Sequence, residues 1–313
     1  MSKKKVWLNL IVILFILPMV FASFSDVLDF FKIKNAITGF ATSSTTSLNI
    51  SIGNTAPIVA NVSTIQTQSI TEASATRIEF TFIVTDVDGN SNINDTTLRA
   101  QFNKTGETTR FNNTCRRLSN LSTNQANFSC TVDLWYYDSA GGWDVNVSIK
   151  DLNNAVAENT TTNFSLGEST NMVMSPTSLT WPSFSVTAVN QTSNNDPIII
   201  NNTGNKNVSN GSITVTGKDL VGETTNTQSI FAGNFTVDVN NTGGSAPNLL
   251  ECRKTQLVNN TITNITSSNV TRGNNSAGNG QAYLYFCLTQ VSPSISSQPY
   301  STAQLGAWTV AVA

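Results

Sequence analysis

The chain has 313 residues, of which 39% are hydrophobic and 12% charged, with 17 Lys and Arg against 19 Asp and Glu and no His. A body this mildly acidic excludes a nucleic-acid partner, which requires a basic footprint. The missing His removes the commonest general base, the Ser-His and Cys-His nucleophile pairs and most catalytic zinc sites.

Solubility rests instead on 35 Ser, 43 Thr and 40 Asn. Abundant Val, Ile, Thr and Phe favour strands, and the apolar share is sufficient for packed cores, so the chain does not read as disordered. Lys3, Lys4 and Lys5 form the only basic cluster, and Val6 to Phe21 is apolar apart from Asn9. Pro18 stands near its end, and Val20 and Ala22 are the small residues of a cleavage site before Ser23. This is the pattern of a secretory signal peptide, residues 1–22. Uncleaved, residues 6–22 would be a membrane anchor at the lower limit of spanning length, and this is the one membrane contact the sequence offers.

Residues 23–54 read as a linker. Phe24, Val27, Leu28 and Phe31 stand at helical spacing, which suits a short amphipathic helix or an unstructured mature end. Leu48, Ile50 and Ile52 alternate with polar residues and predict one strand, either the first of its own domain or one that adds to a neighbour's sheet.

A first domain is expected over 55–168. Its period-2 runs are Ile78-Phe80-Phe82-Val84, Leu98-Ala100-Phe102, Phe128-Cys130-Val132 and Trp143-Val145-Val147-Ile149. Each implies one buried and one wet face. Asp88-Gly89-Asn90 and Gly141-Gly142 supply turns between them. Short strands at this spacing predict two packed antiparallel sheets. A second domain is expected over 169–313, with runs at Ile213-Val215, Phe235-Val237-Val239, Ala282-Leu284-Phe286-Leu288 and Trp308-Val310-Val312. The Asn-, Thr-, Ser- and Gly-rich stretch 255–280 reads as a long loop. The fold class is therefore all-β: two immunoglobulin-like antiparallel β-sandwiches in tandem after an N-terminal helical signal segment.

The four cysteines, Cys115, Cys130, Cys252 and Cys287, are an even set in an exported chain and point to disulfides. Three pairings are open; the local one puts a bridge in each half. Their spacing matches no zinc module.

Twenty Asn-x-Ser/Thr triplets occur, at Asn49, Asn61, Asn94, Asn103, Asn112, Asn120, Asn127, Asn146, Asn159, Asn163, Asn190, Asn201, Asn207, Asn210, Asn234, Asn240, Asn259, Asn264, Asn269 and Asn274. Composition alone predicts about 10, so the excess is a signal for covalent N-glycans. In the triplets at Asn127, Asn146, Asn163 and Asn234 the middle residue is Phe or Val. On a strand, the centre of such a triplet is buried and the Asn and hydroxyl turn outward, where a sugar can attach.

Asp86-Val87-Asp88-Gly89-Asn90 offers alternating oxygens for calcium, with Asp86 and Asp88 the first ligands, but the loop misses the EF-hand spacing and also reads as a plain polar turn. No other cofactor is implied. Acids are sparse in the second half, which argues against the facing carboxylates of a glycosidase. Trp135, Tyr136 and Tyr137 could form a sugar-binding platform or fill a core, whereas Trp143, Trp181 and Trp308 read as core residues.

Three stretches carry a resemblance. Asn54-Thr55-Ala56-Pro57, the strand ending in Asp86-Val87-Asp88-Gly89-Asn90, and Gly142 to Asp151 look like immunoglobulin-like or PKD-like modules of prokaryotic surface proteins. Asn201-Asn202-Thr203-Gly204-Asn205 and Gly217-Lys218-Asp219-Leu220 look like secreted archaeal envelope proteins. With the signal, Ile37-Thr38-Gly39-Phe40 and the load of glycosylation triplets, the whole resembles small archaeal surface-layer or adhesin-type glycoproteins. The resemblance implies a structural or adhesive role at the cell surface, no catalysis, and self-association or other envelope proteins as partners. A filament subunit assembled by strand addition and a secreted carbohydrate-binding module are the other expectations.

Overall fold

The computed structural model describes residues 47–240, 252, 254–266 and 268–312. The expected signal segment 1–22 and most of the linker, 23–46, lie outside these residues. The chain divides into two compact units, Met1–Gly53 and Asn54–Ala313.

Residues 47–53 of the first unit belong to no strand. The strand expected at Leu48, Ile50 and Ile52 is absent, and these side chains are 81%, 74% and 91% exposed. Alternation states which face would be buried; it does not supply a partner, and three apolar residues in a short run give no core of their own.

In the second unit, residues 58–166 form seven strands: β1 (Ile58–Ala60), β2 (Ala75–Thr85), β3 (Ile93–Asn103), β4 (Arg110–Asn120), β5 (Gln125–Trp135), β6 (Gly141–Asp151) and β7 (Val156–Leu166). Their order is β1-β2-β5-β4-β3-β6-β7, with every pairing antiparallel. Strands β3 and β4 share only the pairs Gln101–Phe111 and Phe102–Arg110. Beyond that corner they diverge, and the sheet folds into two layers, β1-β2-β5-β4 over β3-β6-β7.

The layers meet through the predicted runs. Ile78, Phe80, Phe82 and Val84 on β2 and Phe128, Val132 and Leu134 on β5 are buried against Ala100, Phe102, Trp143, Val145, Val147 and Phe164. Phe80 and Phe102 join the two sides at 5.8 Å, and Phe102 meets Phe164 edge-on at 4.8 Å. Burying each such ring contributes about 1.5–3 kcal/mol. Trp143 is fully buried and donates its Nε1–H to the Ser139 carbonyl at 3.0 Å, so the indole nitrogen is not left unpaired.

The described residues of 172–312 add twelve strands, most of them short: β8 (Met172–Ser175), β9 (Val189–Thr192), β10 (Ile198–Asn202), β11 (Ile213–Thr216), β12 (Leu220–Gly222), β13 (Ser229–Ile230), β14 (Phe235–Asn240), β15 (Thr255–Gln256), β16 (Ile262–Asn264), β17 (Gln281–Gln290), β18 (Tyr300–Ser301) and β19 (Thr309–Val312). They form three sheets. The largest is β15-β14-β17-β10-β8 with β9 also on β17; the others are β16-β11-β19 and β13-β12-β18. Strand β17 is the spine: β14 runs along one edge, and β10 and β9 share the other.

Phe235, buried in this core, takes Trp181 and Trp308 edge-on at 5.5 and 5.0 Å. Both tryptophans are half-buried rather than central. The stretch 255–280, expected as a loop, is partly ordered into β15 and β16. Leu257, Ile265 and Val270 pin it to the core at 0%, 0% and 1% exposure. Single apolar anchors set among Asn and Thr produce no period, which is why this segment looked like a loop.

Candidate functional site

The surface of the described residues is rich in Asn, Ser and Thr. Its distinguishing chemistry is amide and hydroxyl groups carried on strands, so the glycosylation triplets are the natural starting point.

Alternation sends the triplet centres inward: Phe128, Val147, Phe164 and Phe235 are 0%, 0%, 4% and 1% exposed. Of the 20 triplet asparagines, 19 have described side chains, and none of these is buried. Asn49, Asn61, Asn120, Asn163, Asn190, Asn207, Asn210, Asn259, Asn264 and Asn269 are exposed. Asn94, Asn103, Asn112, Asn127, Asn146, Asn159, Asn201, Asn234 and Asn274 are half-buried. The side chain of Asn240 lies outside the described residues.

Direction is not the same as exposure, however. Ser129 turns away from the core yet is 3% exposed, because β5 lies between β2 and β4 and its Oγ donates to Glu79 Oε1 at 2.6 Å. Thr203 and Thr236 are covered to a similar degree. Four triplet asparagines also donate hydrogen bonds to the fold. Asn146 donates to Glu158, Asn159 to the Val59 carbonyl, Asn234 to the Gln290 carbonyl and Asn259 to Asp219.

The proposed calcium ligands sit at one end of the first sandwich. Asp86 is fully buried and Asp88 exposed. Asp86 Oδ1 accepts the Asp88 N–H at 2.9 Å, and its Oδ2 accepts from Asn92 at 3.3 Å. Asp88 Oδ2 accepts the Thr55 N–H at 2.7 Å.

Asp151, also fully buried, completes the group, which sequence reading missed. It accepts Asn54 Nδ2 at 2.7 Å and the N–H groups of Ala155 and Asn153 at 2.8 and 2.9 Å. Burial pushes the Asp151 carboxyl up, but the hydrogen bonds from Asn54, Ala155 and Asn153 outweigh it and hold the group below the usual carboxylate range. N–H donors point at the carboxylate oxygens that a cation would need, and no metal-holding group of three or more His, Cys, Asp or Glu occurs among the described residues. The arrangement is a hydrogen-bonded polar cluster. It ties Asn54 and Thr55 to the loops after β2 and β6.

The cysteines pair locally, Cys115 with Cys130 and Cys252 with Cys287, with Cα separations of 4.1 and 5.0 Å. The first bridge joins register partners on β4 and β5, and the second fastens the start of the 254–280 segment to β17.

The aromatic trio splits. Trp135 stacks on Tyr137 at 6.1 Å with an 8° angle between the rings. Tyr136 is 6% exposed, and its hydroxyl accepts the Asn275 N–H at 2.9 Å. It belongs to a polar junction between residues 58–166 and the sheets that follow them, rather than to a platform. Thr203 Oγ1 donates to Glu72 there at 2.6 Å, Asn205 Nδ2 to the Gly167 carbonyl at 2.8 Å, and Arg272 pairs with Glu107. Gly204 fits because any Cβ would collide with the Ser169 carbonyl. The available signal was a lone Arg272 inside a stretch otherwise poor in charge.

No protein-family model matches the chain, and no curated protein matches it. Among solved structures, the secreted serine protease VesC from Vibrio cholerae aligns over 78% of this chain and 51% of its own length, at 11% identity and a TM-score of 0.19. The chain thus spans about half the length of that protein, and a likeness this weak carries no argument.

Proposed function

We propose that this chain is an exported, N-glycosylated protein of the cell surface with a structural or adhesive role and no catalytic activity, of the surface-layer or adhesin type. The observation that carries this reading is that all 19 described triplet asparagines stay at least partly at the surface of a disulfide-bonded β fold. Two disulfides suit an oxidising, extracellular compartment. Among the described residues no helix is long and apolar enough to cross a membrane.

The layers β1-β2-β5-β4 and β3-β6-β7 follow the strand order of a constant-type immunoglobulin sandwich. That order supports an immunoglobulin-like module over 55–168. The Cys115–Cys130 bridge departs from that pattern by lying within one layer. Residues 169–313 are read as a second such module that has broken into three sheets. Fractionation of the source cells tests the role: the protein should be in the envelope fraction as large assemblies. Recovery as a soluble monomer in the medium alone contradicts it.

A second reading is favoured by one observation. Leu48, Ile50 and Ile52 are exposed and belong to no strand. Three apolar residues on one face of an extended segment suit addition to a sheet edge of a second copy in a filament. Deleting residues 44–53 should abolish polymers and leave the monomer folded. Loss of folding contradicts this reading.

A further inference from the structure

We infer that folding closes three of the glycosylation triplets, those at Asn127, Asn201 and Asn234, so that any sugar they carry is attached before the sandwiches form. The inference rests on the reading of these triplets as glycan acceptors.

Transfer joins the asparagine Nδ2 to the anomeric carbon of a lipid-linked phosphoryl sugar. The bond from that carbon to the phosphate oxygen breaks, the phosphate leaves with the electron pair, and the amide gives up one proton. The enzyme recognises the Ser or Thr hydroxyl two residues on as well as the amide. Both groups must therefore enter its cleft on a short stretch of free chain.

In these three triplets that hydroxyl is buried. Ser129, Thr203 and Thr236 are 3%, 3% and 5% exposed. Ser129 donates to Glu79 at 2.6 Å, on a strand paired along both edges. Thr203 donates to Glu72 at 2.6 Å, and Glu72 lies in the other sandwich, so docking of the two regions is what covers it. Thr236 sits opposite Cys287 of the second disulfide, and Asn234 itself donates to the Gln290 carbonyl at 2.9 Å.

Freeing any of them requires a strand or a junction to open, and core strands open at free energies near the global stability. The triplets at Asn120 and Asn163 differ in kind: their asparagines and their hydroxyls, on Ser122 and Ser165, are all exposed.

The test uses the full chain produced without sugars, oxidised and shown to melt cooperatively. It is incubated with a triplet-specific oligosaccharyl transferase and a lipid-linked donor, and each site is mapped by mass spectrometry. The same chain, reduced, alkylated and denatured, is treated in parallel. In the folded chain Asn127, Asn201 and Asn234 should be modified at least about tenfold less than Asn120 and Asn163, and in the denatured chain the difference should vanish. Equal modification of the folded chain at all five sites overturns the inference, and so does a difference that persists after denaturation. Whether the source cells glycosylate the protein does not enter this experiment, so an unglycosylated native protein would defeat the functional reading and leave this result standing.

Discussion

Arg272 grips Glu107 with both ends of its guanidinium, Nη2 at 2.5 Å from Oε1 and Nη1 at 3.2 Å from Oε2, and Nη1 also donates to the Tyr137 carbonyl at 2.7 Å. The two residues lie 165 positions apart, and their side chains are 29% and 11% exposed. A forked, partly buried pair fixes orientation as well as proximity. Together with Tyr136–Asn275 and Thr203–Glu72 it ties residues 58–166 to the sheets that follow them.

Removing that grip should uncouple the regions. Arg272→Ala is expected to cost about 1–3 kcal/mol, because Glu107 is left mostly buried without its partner. By calorimetry the single unfolding transition should broaden or split in two, whereas Arg272→Lys should give an intermediate loss. A variant that melts like the parent argues against the junction.

The first core should be intolerant at its centre. Phe102 is fully buried between Phe80 and Phe164. Phe102→Ala should lower stability by about 3–5 kcal/mol in urea titrations. Phe111, on the adjoining strand and 60% exposed, should tolerate Ala within about 0.5 kcal/mol.

The disulfides should contribute unequally. The Cys115–Cys130 and Cys252–Cys287 bridges close loops of 15 and 35 residues. Chain entropy assigns them about 3 and about 4 kcal/mol. Paired Cys→Ala variants melted side by side should show the larger loss for the second.

Acid should weaken the loop end of the first sandwich. Asp151 is held below its ordinary range, so its contribution is present above the unfolded value of about 3.9 and is lost as pH falls through the lower folded value. Urea midpoints measured from pH 6 down to pH 2 should therefore fall below about pH 4. The Asp151→Asn variant should be less stable at pH 6 and show a shallower acid decline.

Much of the first sandwich was legible because its central strands alternate cleanly. The runs at Ile78, Leu98, Phe128 and Trp143 each became a buried row. Strand β4 was not, since none of its residues is buried and an edge strand with two wet faces has no hydrophobic period. The polar sequence of β7, with five Asn and Thr residues between Ala157 and Phe164 relieved by few apolar positions, hid it likewise.

At the surface, sequence spacing located the acceptor asparagines but not their accessibility. Whether Ser129 meets solvent depends on Glu79, fifty residues away on the neighbouring strand. The cluster around Asp86 was half visible: Asp88, Asn90 and Asn92 are neighbours in sequence, whereas Asn54 and Asp151 arrive only through the fold.

Site-resolved mass spectrometry of the protein purified from its own cells measures the central claim most directly. Sugar should be found on exposed triplets such as Asn120, Asn163 and Asn210, on a chain whose first residue follows the apolar segment or retains it as an anchor. A protein recovered with every asparagine bare contradicts the account.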